Sequence, residues 1–331
     1  MNIRRFILSG VAAASIICAS SCDKDKTKEL PYLTGLPQFS LPVFGTTGEV
    51  FEFKSGGVSA DDGSEVRYYW YASPIQPDRD TCDVYKLVLT DSLCTVKLTC
   101  VAFAKGYNTT SYSEEITIVN PDRDNGSIQG ITMDPEKDFI FTDPRDGFEY
   151  RCTTIGSKAW FKDNLAYRKH GRPQEGCLAT ADIFGMLYTW EEAMDNACPE
   201  GWHVSSLQDW ADAADAAKGT TGTDKKDMLN GVAGKMMGDA TFNFNPMWEY
   251  SANVRITNES GLGILPVGFA NVGALKDEFY SMYQYATFWT SDMKDDETAY
   301  YRYIYFDQND VLLGSADKKS FGASVRCVRN D

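Results

Sequence analysis

Between Pro31 and Val119 the apolar residues come in short runs or strict alternation, each cut off by turn formers. That rhythm confines the segment to stacked β-sheet. The runs are Glu49–Phe53, Val66–Tyr71, Val84–Leu89, Thr95–Cys100 and Glu115–Val119, broken at Gly56-Gly57, Asp61-Asp62-Gly63-Ser64, Pro74 and Thr90-Asp91-Ser92. In Thr95–Cys100 polar and apolar residues alternate with period two, so Val96, Leu98 and Cys100 share one face and need a core to cover them.

The start of the chain decides the compartment. Residues 1–21 carry Arg4 and Arg5, then an apolar run from Phe6 to Ile17 that is short of the ~20 residues of a membrane span. Ala19-Ser20-Ser21-Cys22 follows and resembles the bacterial lipobox, which implies cleavage before Cys22 and diacylglycerol on its sulfur. A plain secretory signal with an incidental Cys22 is the alternative. Residues 22–30 are polar without period and read as a tether. Acids just after the lipidated cysteine resemble an outer-surface export signal of Bacteroides-like bacteria, although here Asp23 and Asp25 alternate with lysines. The expected place is therefore the outer membrane, lipid-anchored and exposed at the cell surface, with attachment facing the periplasm as the alternative that the lysines leave open.

Charge and histidine content narrow the partners. With 32 Lys plus Arg against 47 Asp plus Glu the net charge is −15, which opposes nucleic acid or an anionic membrane surface as the main partner. Two histidines far apart, His170 and His203, give a histidine-rich metal site or a histidine triad little material, and neither a metal nor a cofactor is expected. Nine cysteines without a CxxC pair suit bridges in an oxidising compartment better than zinc or thioredoxin chemistry.

About seven short strands over residues 31–120 fit an immunoglobulin-like β-sandwich. Val101–Tyr107, followed by Ser/Thr residues and a last strand, resembles the penultimate hairpin of such modules in bacterial surface lipoproteins. Trp70 reads as core, Cys100 as a small buried hydrophobe, and Gln76-Pro77-Asp78 as a turn. Cys82 and Cys94 flank a strand and a turn and can bridge. Asn120–Ser127 is polar and turn-rich, so residues 121–140 read as a linker to a second module at 141–331.

That second module mixes elements. Thr189 with Glu192, and Ser206 with Asp209, form capping-box patterns ahead of amphipathic helices, the second closed by Gly219. A third helix is expected across Met228, Leu229, Val232, Ala233 and Met236. Ala299–Phe306 alternates as a strand, and Ser324–Val328 makes a final one, so the module is α+β.

Its motifs are ordered along the chain: Phe184–Met194, Ala197–Val204, Asn258-Glu259-Ser260-Gly261, Leu265-Pro266, Phe288-Trp289-Thr290-Ser291 and Ser324-Val325-Arg326-Cys327-Val328. Together they resemble the Fibrobacter succinogenes major paralogous domain (FISUMP) over about residues 141–330. Lys158, Phe184 and Met186 stand where that family commonly has Gln, Tyr and Arg. The resemblance extends to the C-type lectin-like fold and the related formylglycine-generating-enzyme fold, in which the helix cysteine bonds the last-strand cysteine. It implies a Cys198–Cys327 disulfide, with Cys152–Cys177 as a second pair.

FISUMP domains are mostly outer-surface proteins of unassigned activity, so the resemblance leaves the function to the residues. From Gly238 to Ser291 aromatics and side-chain amides are dense, a mixture suited to the apolar faces and hydroxyl rims of sugars. Trp248, Tyr250, Asn243 and Tyr283 are the candidate ligand contacts. Calcium-dependent sugar binding lacks its Glu-Pro-Asn and Trp-Asn-Asp signatures in this region, and Glu259 reads as a loop brace. The expected function is non-catalytic binding of a glycan or glycoprotein. The alternatives are a structural or adhesive part in a surface or fimbrial assembly with other surface proteins, built by strand addition, and a carbohydrate-active enzyme. No catalytic residue is singled out: His203 reads as packed, and no spacing argues for a carboxylate pair.

Overall fold

The computed structural model describes residues 29–122 and 126–330. The signal segment, Cys22 and the tether up to Lys28 lie outside the described residues.

The alternation of the first module builds the two layers it calls for. Five strands lie in the order Phe44–Thr46, Thr110–Val119, Thr95–Phe103, Arg67–Ser73, Gln76–Asp80; the first pair is parallel and the others antiparallel. Val50–Lys54 and Val84–Val88 form a separate antiparallel pair. Phe53, Tyr85 and Leu87 from that pair meet Trp70, Leu98 and Ile116 from the large sheet in one core. Val96, Leu98 and Cys100 are fully buried, as their shared face requires. Trp70 stacks on Tyr85 at 5.6 Å and donates from its indole to Ser55 Oγ at 2.9 Å, so its one polar atom is satisfied.

Two expectations change here. Gln76-Pro77-Asp78 begins an edge strand, where a missing N–H costs no ladder bond, and the chain turns earlier at Ser73-Pro74-Ile75. The Gln76 amide then bonds the neighbouring pair, donating to Lys86 O and accepting from Val88 N. Cys82 and Cys94 are both free, half-buried at the rim of the core.

The second module is organised around its last strand. Cys327–Asn330 inserts between Lys158–Phe161 and His203–Val204, in a five-strand sheet completed by Glu149–Ile155 and Asp138–Thr142. Sequence-distant ends are thus laced together. Tyr285–Met293, Thr298–Tyr305 and Leu312–Asp317 form a second sheet, and Glu278–Tyr280, Phe269–Asn271 and Phe321–Gly322 a third.

Both capping boxes are formed. Helix Leu207–Lys218 ends where Gly219 takes φ +68°; Leu207 is buried, and Trp210, Ala211 and Ala214 pack with Trp160 and Phe288. The expected third helix shrinks to Ala233–Met236. Asn230-Gly231 turns the chain with Gly231 at φ +71°, and Leu229 exchanges backbone hydrogen bonds with Val311 instead of continuing a helix.

Residues 126–140 are docked rather than a free linker. Ile128–Gln129 pairs with Thr241–Phe242, and Asp138–Thr142 pairs with Glu149–Thr153. The Asp138 carboxylate meets the Lys162 ammonium in a fully buried ion pair. The two modules also share a core, in which Phe44 and Val119 pack with Phe184, Leu187 and Phe242.

Cys198 and Cys327 form a disulfide with Cα atoms 5.8 Å apart, 129 residues apart in sequence. The second expected pair is not formed. Cys152 is buried beside Tyr150 and Phe161, whereas Cys177 packs against a different cluster with Phe184 and Phe242, so separate cores hold them apart.

Candidate functional site

The four nominated ligand contacts do not converge. Trp248 is 5% exposed and its indole N–H donates to Ile264 O at 3.0 Å, which makes it core. Asn243 is also 5% exposed, and its amide donates to Ile118 O at 2.8 Å across the junction of the modules. Tyr283 is half-buried against the junction core. Only Tyr250 faces solvent, at 89% exposure. Neither Trp248 nor Asn243 can reach a ligand without uncovering a core. Density of aromatics in a loop says that a core must be filled there, and these residues fill it.

A different aromatic set does share a surface. In strand Thr298–Tyr305 the alternation sends Arg302 and Ile304 inward, fully buried, and leaves Tyr301, Tyr303 and Tyr305 half-buried on the other face, with Tyr301 also packed against the core. Tyr303 and Tyr305 meet Tyr285 of the adjacent strand at 6.2 and 4.6 Å. Tyr301 meets Phe321 at 5.0 Å, and Phe321 leads at 5.3 Å to Phe269, which stacks on Tyr280 at 5.5 Å. Seven partly exposed rings therefore run in one overlapping row across two sheets. The row needs Gly314: it pairs with Tyr301 on the neighbouring strand, and a Cβ there would run into the Tyr301 ring.

The row is apolar in body and polar at its rims. Burial and the neighbouring phenols raise Tyr285 and Tyr301 above the usual tyrosine range, so both hydroxyls keep their protons at neutral pH and can donate as well as accept. Tyr280 and Tyr285 fall inside the aromatic-rich region of the sequence, but the tyrosines at 301, 303 and 305 count there only as a strand. Their i, i+2, i+4 spacing was the available signal.

Charged groups near the signature motifs are mostly spent on structure. Lys158 bonds Asp209 and Asp212, both at 2.7 Å, and His203 reaches Asp209 at 3.1 Å while standing half-exposed. Burial works to raise the Asp209 carboxyl, yet hydrogen bonds from His203, Lys158 and Ser206 hold it below the ordinary carboxylate range. Glu259 pairs with Lys235 at 2.8 Å, a brace for its loop.

Arg326, in the terminal motif, is fully buried. Its guanidinium donates to Asn164 Oδ1 at 2.8 Å, to Phe161 O at 2.8 Å, to Leu262 O at 3.1 Å and to Lys162 O. Desolvation pulls it down to about 9. It gathers three stretches of chain, a role that no spacing in the sequence announces.

Among protein-family models, the Fibrobacter succinogenes major domain matches residues 153–329. The chain belongs to this family. No match is found among curated proteins. The matched span of the Fibrobacter succinogenes major domain starts within strand Glu149–Ile155 and ends in the terminal strand, so it contains the disulfide, Arg326 and all seven rings of the row. Among the described residues no group of three or more His, Cys, Asp or Glu side chains is placed to hold a metal ion, and no helix is long and apolar enough to cross a membrane.

Proposed function

We propose that this protein is a lipid-anchored outer-membrane protein, exposed at the cell surface, whose Fibrobacter succinogenes major domain binds a glycan or glycoprotein without transforming it. In this reading the C-terminal domain has C-type-lectin-like architecture, and an immunoglobulin-like module carries it away from the membrane.

The observation that supports the reading is the aromatic row. A sugar ring offers apolar C–H faces edged with hydroxyls, and half-exposed phenols offer apolar surface edged with donors and acceptors. The row carries no formal charge and belongs to an acidic chain, which suits a neutral polymer better than an anionic one. Strand addition to another surface protein has less to work with. The edge strand Gln76–Asp80 is short, holds Pro77 and carries charges, and the Gln76 amide occupies backbone groups of the neighbouring strand.

A glycan array with the purified chain tests the binding, run beside Tyr303→Ala and Tyr285→Ala. Signal on at least one neutral glycan that either variant lowers about 5-fold supports the row, in line with ~1 kcal/mol for a stacked ring. No signal on any glycan overturns the reading. Loss of labelled fatty acid in Cys22→Ser, and protease access on intact cells, test the anchor and the exposure.

A further inference from the structure

A concave site lies where the two modules meet, lined by none of the seven rings of the row. It is a cleft of about 580 Å³, a size that takes a mono- or disaccharide. One wall comes from Leu41, Pro42 and Val43 of the first module, the other from Phe279 of the second; Ser40, Arg172, Glu175, Lys276 and Asp277 supply its polar groups.

Most charge in the cleft is already satisfied. Arg172 bonds Asp277 at 3.1 Å and Glu192 at 3.0 Å, and also donates to Leu187 O. Glu175 is different. It sits half-buried in the left-handed region at φ +53°, a conformation that a glutamate rarely takes, directly before Gly176 at φ +74°. Among the described residues no donor is hydrogen-bonded to its carboxylate. Burial pushes that carboxyl up, with only the charge of Lys276 pulling the other way. The fold therefore holds a partly desolvated acceptor pair between apolar walls and leaves it open.

We propose that this cleft binds a neutral sugar, with Glu175 accepting hydrogen bonds from two adjacent ring hydroxyls and Lys276 donating to a third oxygen. The charge arrangement favours neither ion: Arg172 and Asp277 neutralise each other, Glu175 opposes an anion, and Lys276 opposes a cation. The apolar walls suit a C–H face of the ring. Because one wall is Leu41–Val43, the site exists only when both modules are docked, and it stands or falls independently of the row.

Saturation-transfer NMR on the full chain, with methyl glycosides of glucose, galactose and mannose as probes, tests this. At least one glycoside is expected to bind, and Glu175→Gln is expected to weaken it about 10-fold or more. Val43→Arg, at a position 48% exposed on the far wall, is expected to abolish it, while Tyr303→Ala leaves it unchanged. Binding is also expected to fall as pH drops through the raised Glu175 range. That dependence should vanish in Glu175→Gln, although Arg172, Lys276 and Asp277 still face the cleft. The proposal is overturned if none of the glycosides binds, or if either cleft variant binds like the unaltered chain. Array signal that Tyr303→Ala removes would still stand in that case, so failure here and failure of the row are separable.

Discussion

The two modules reach a packed core by different physical routes. The first uses alternation: two facing sheets bury one side of their inner strands, and the core holds without a disulfide although Cys82, Cys94 and Cys100 all belong to it. The second has little alternation before its late hairpins. It closes through the Cys198–Cys327 link, a terminal strand inserted between early ones, and a buried arginine bonded to two other stretches of chain. A core made by periodicity tolerates local loss, whereas a core made by a few cross-chain ties fails when one is cut.

Reduction should break that symmetry most visibly. Opening a 129-residue loop removes roughly 5 kcal/mol in the chain-entropy account, and all of it falls on the second module. Calorimetry of Cys198→Ser, or of reduced protein, is expected to show the second module melting much earlier than the first. Equal shifts in both would mean that the modules do not differ in this way. Next in size is Phe44→Ala at the shared core, expected to cost about 3–4 kcal/mol as for other buried phenylalanines. Its effect should fall on the coupling between modules, read as a wider separation between the melting of the first module and that of the second. An equal lowering of both midpoints, with their separation unchanged, would show that the junction does not couple them.

How much was legible in the sequence follows the same division. Val96, Leu98 and Cys100 declared their face through period two, and Ser206 with Asp209 declared a helix start through a local pattern that needs no partner. The disulfide came from resemblance, not from spacing. What stayed hidden depended on distant partners. Trp248 and Asn243 look like ligand contacts until Ile264 and Ile118 are brought beside them, and Met228–Met236 keeps a helical period that the Leu229–Val311 pairing overrides. The aromatic row was divided between a loop-like region, a strand and Phe321, so no single window contained it.

A smaller effect separates the modules by pH. Asp209, in the second, is stabilised in its charged form, so its folded pKa lies below the reference of 3.8. Its contribution is therefore complete above about pH 4–5 and is lost as pH falls through the depressed folded value. Asp209→Asn is expected to cost about 2 kcal/mol at neutral pH, for the cap and its charged hydrogen bonds together, and to flatten the acid limb of the second transition. An unchanged acid limb would assign that limb to other carboxylates.

The smallest expected change is the sharpest test of where the second module would meet the proposed glycan. Tyr250 is the most exposed of the four residues that the sequence nominates, and no ring of the row contacts it, so Tyr250→Ala should leave both stability and array signal within error. Tyr303→Ala removes a ring that touches both Tyr301 and Tyr285, interrupting the row at its middle. If Tyr250→Ala weakens binding and Tyr303→Ala does not, the ligand surface lies on the irregular loops. The hairpin tyrosines would then be a packed layer that happens to be only half covered.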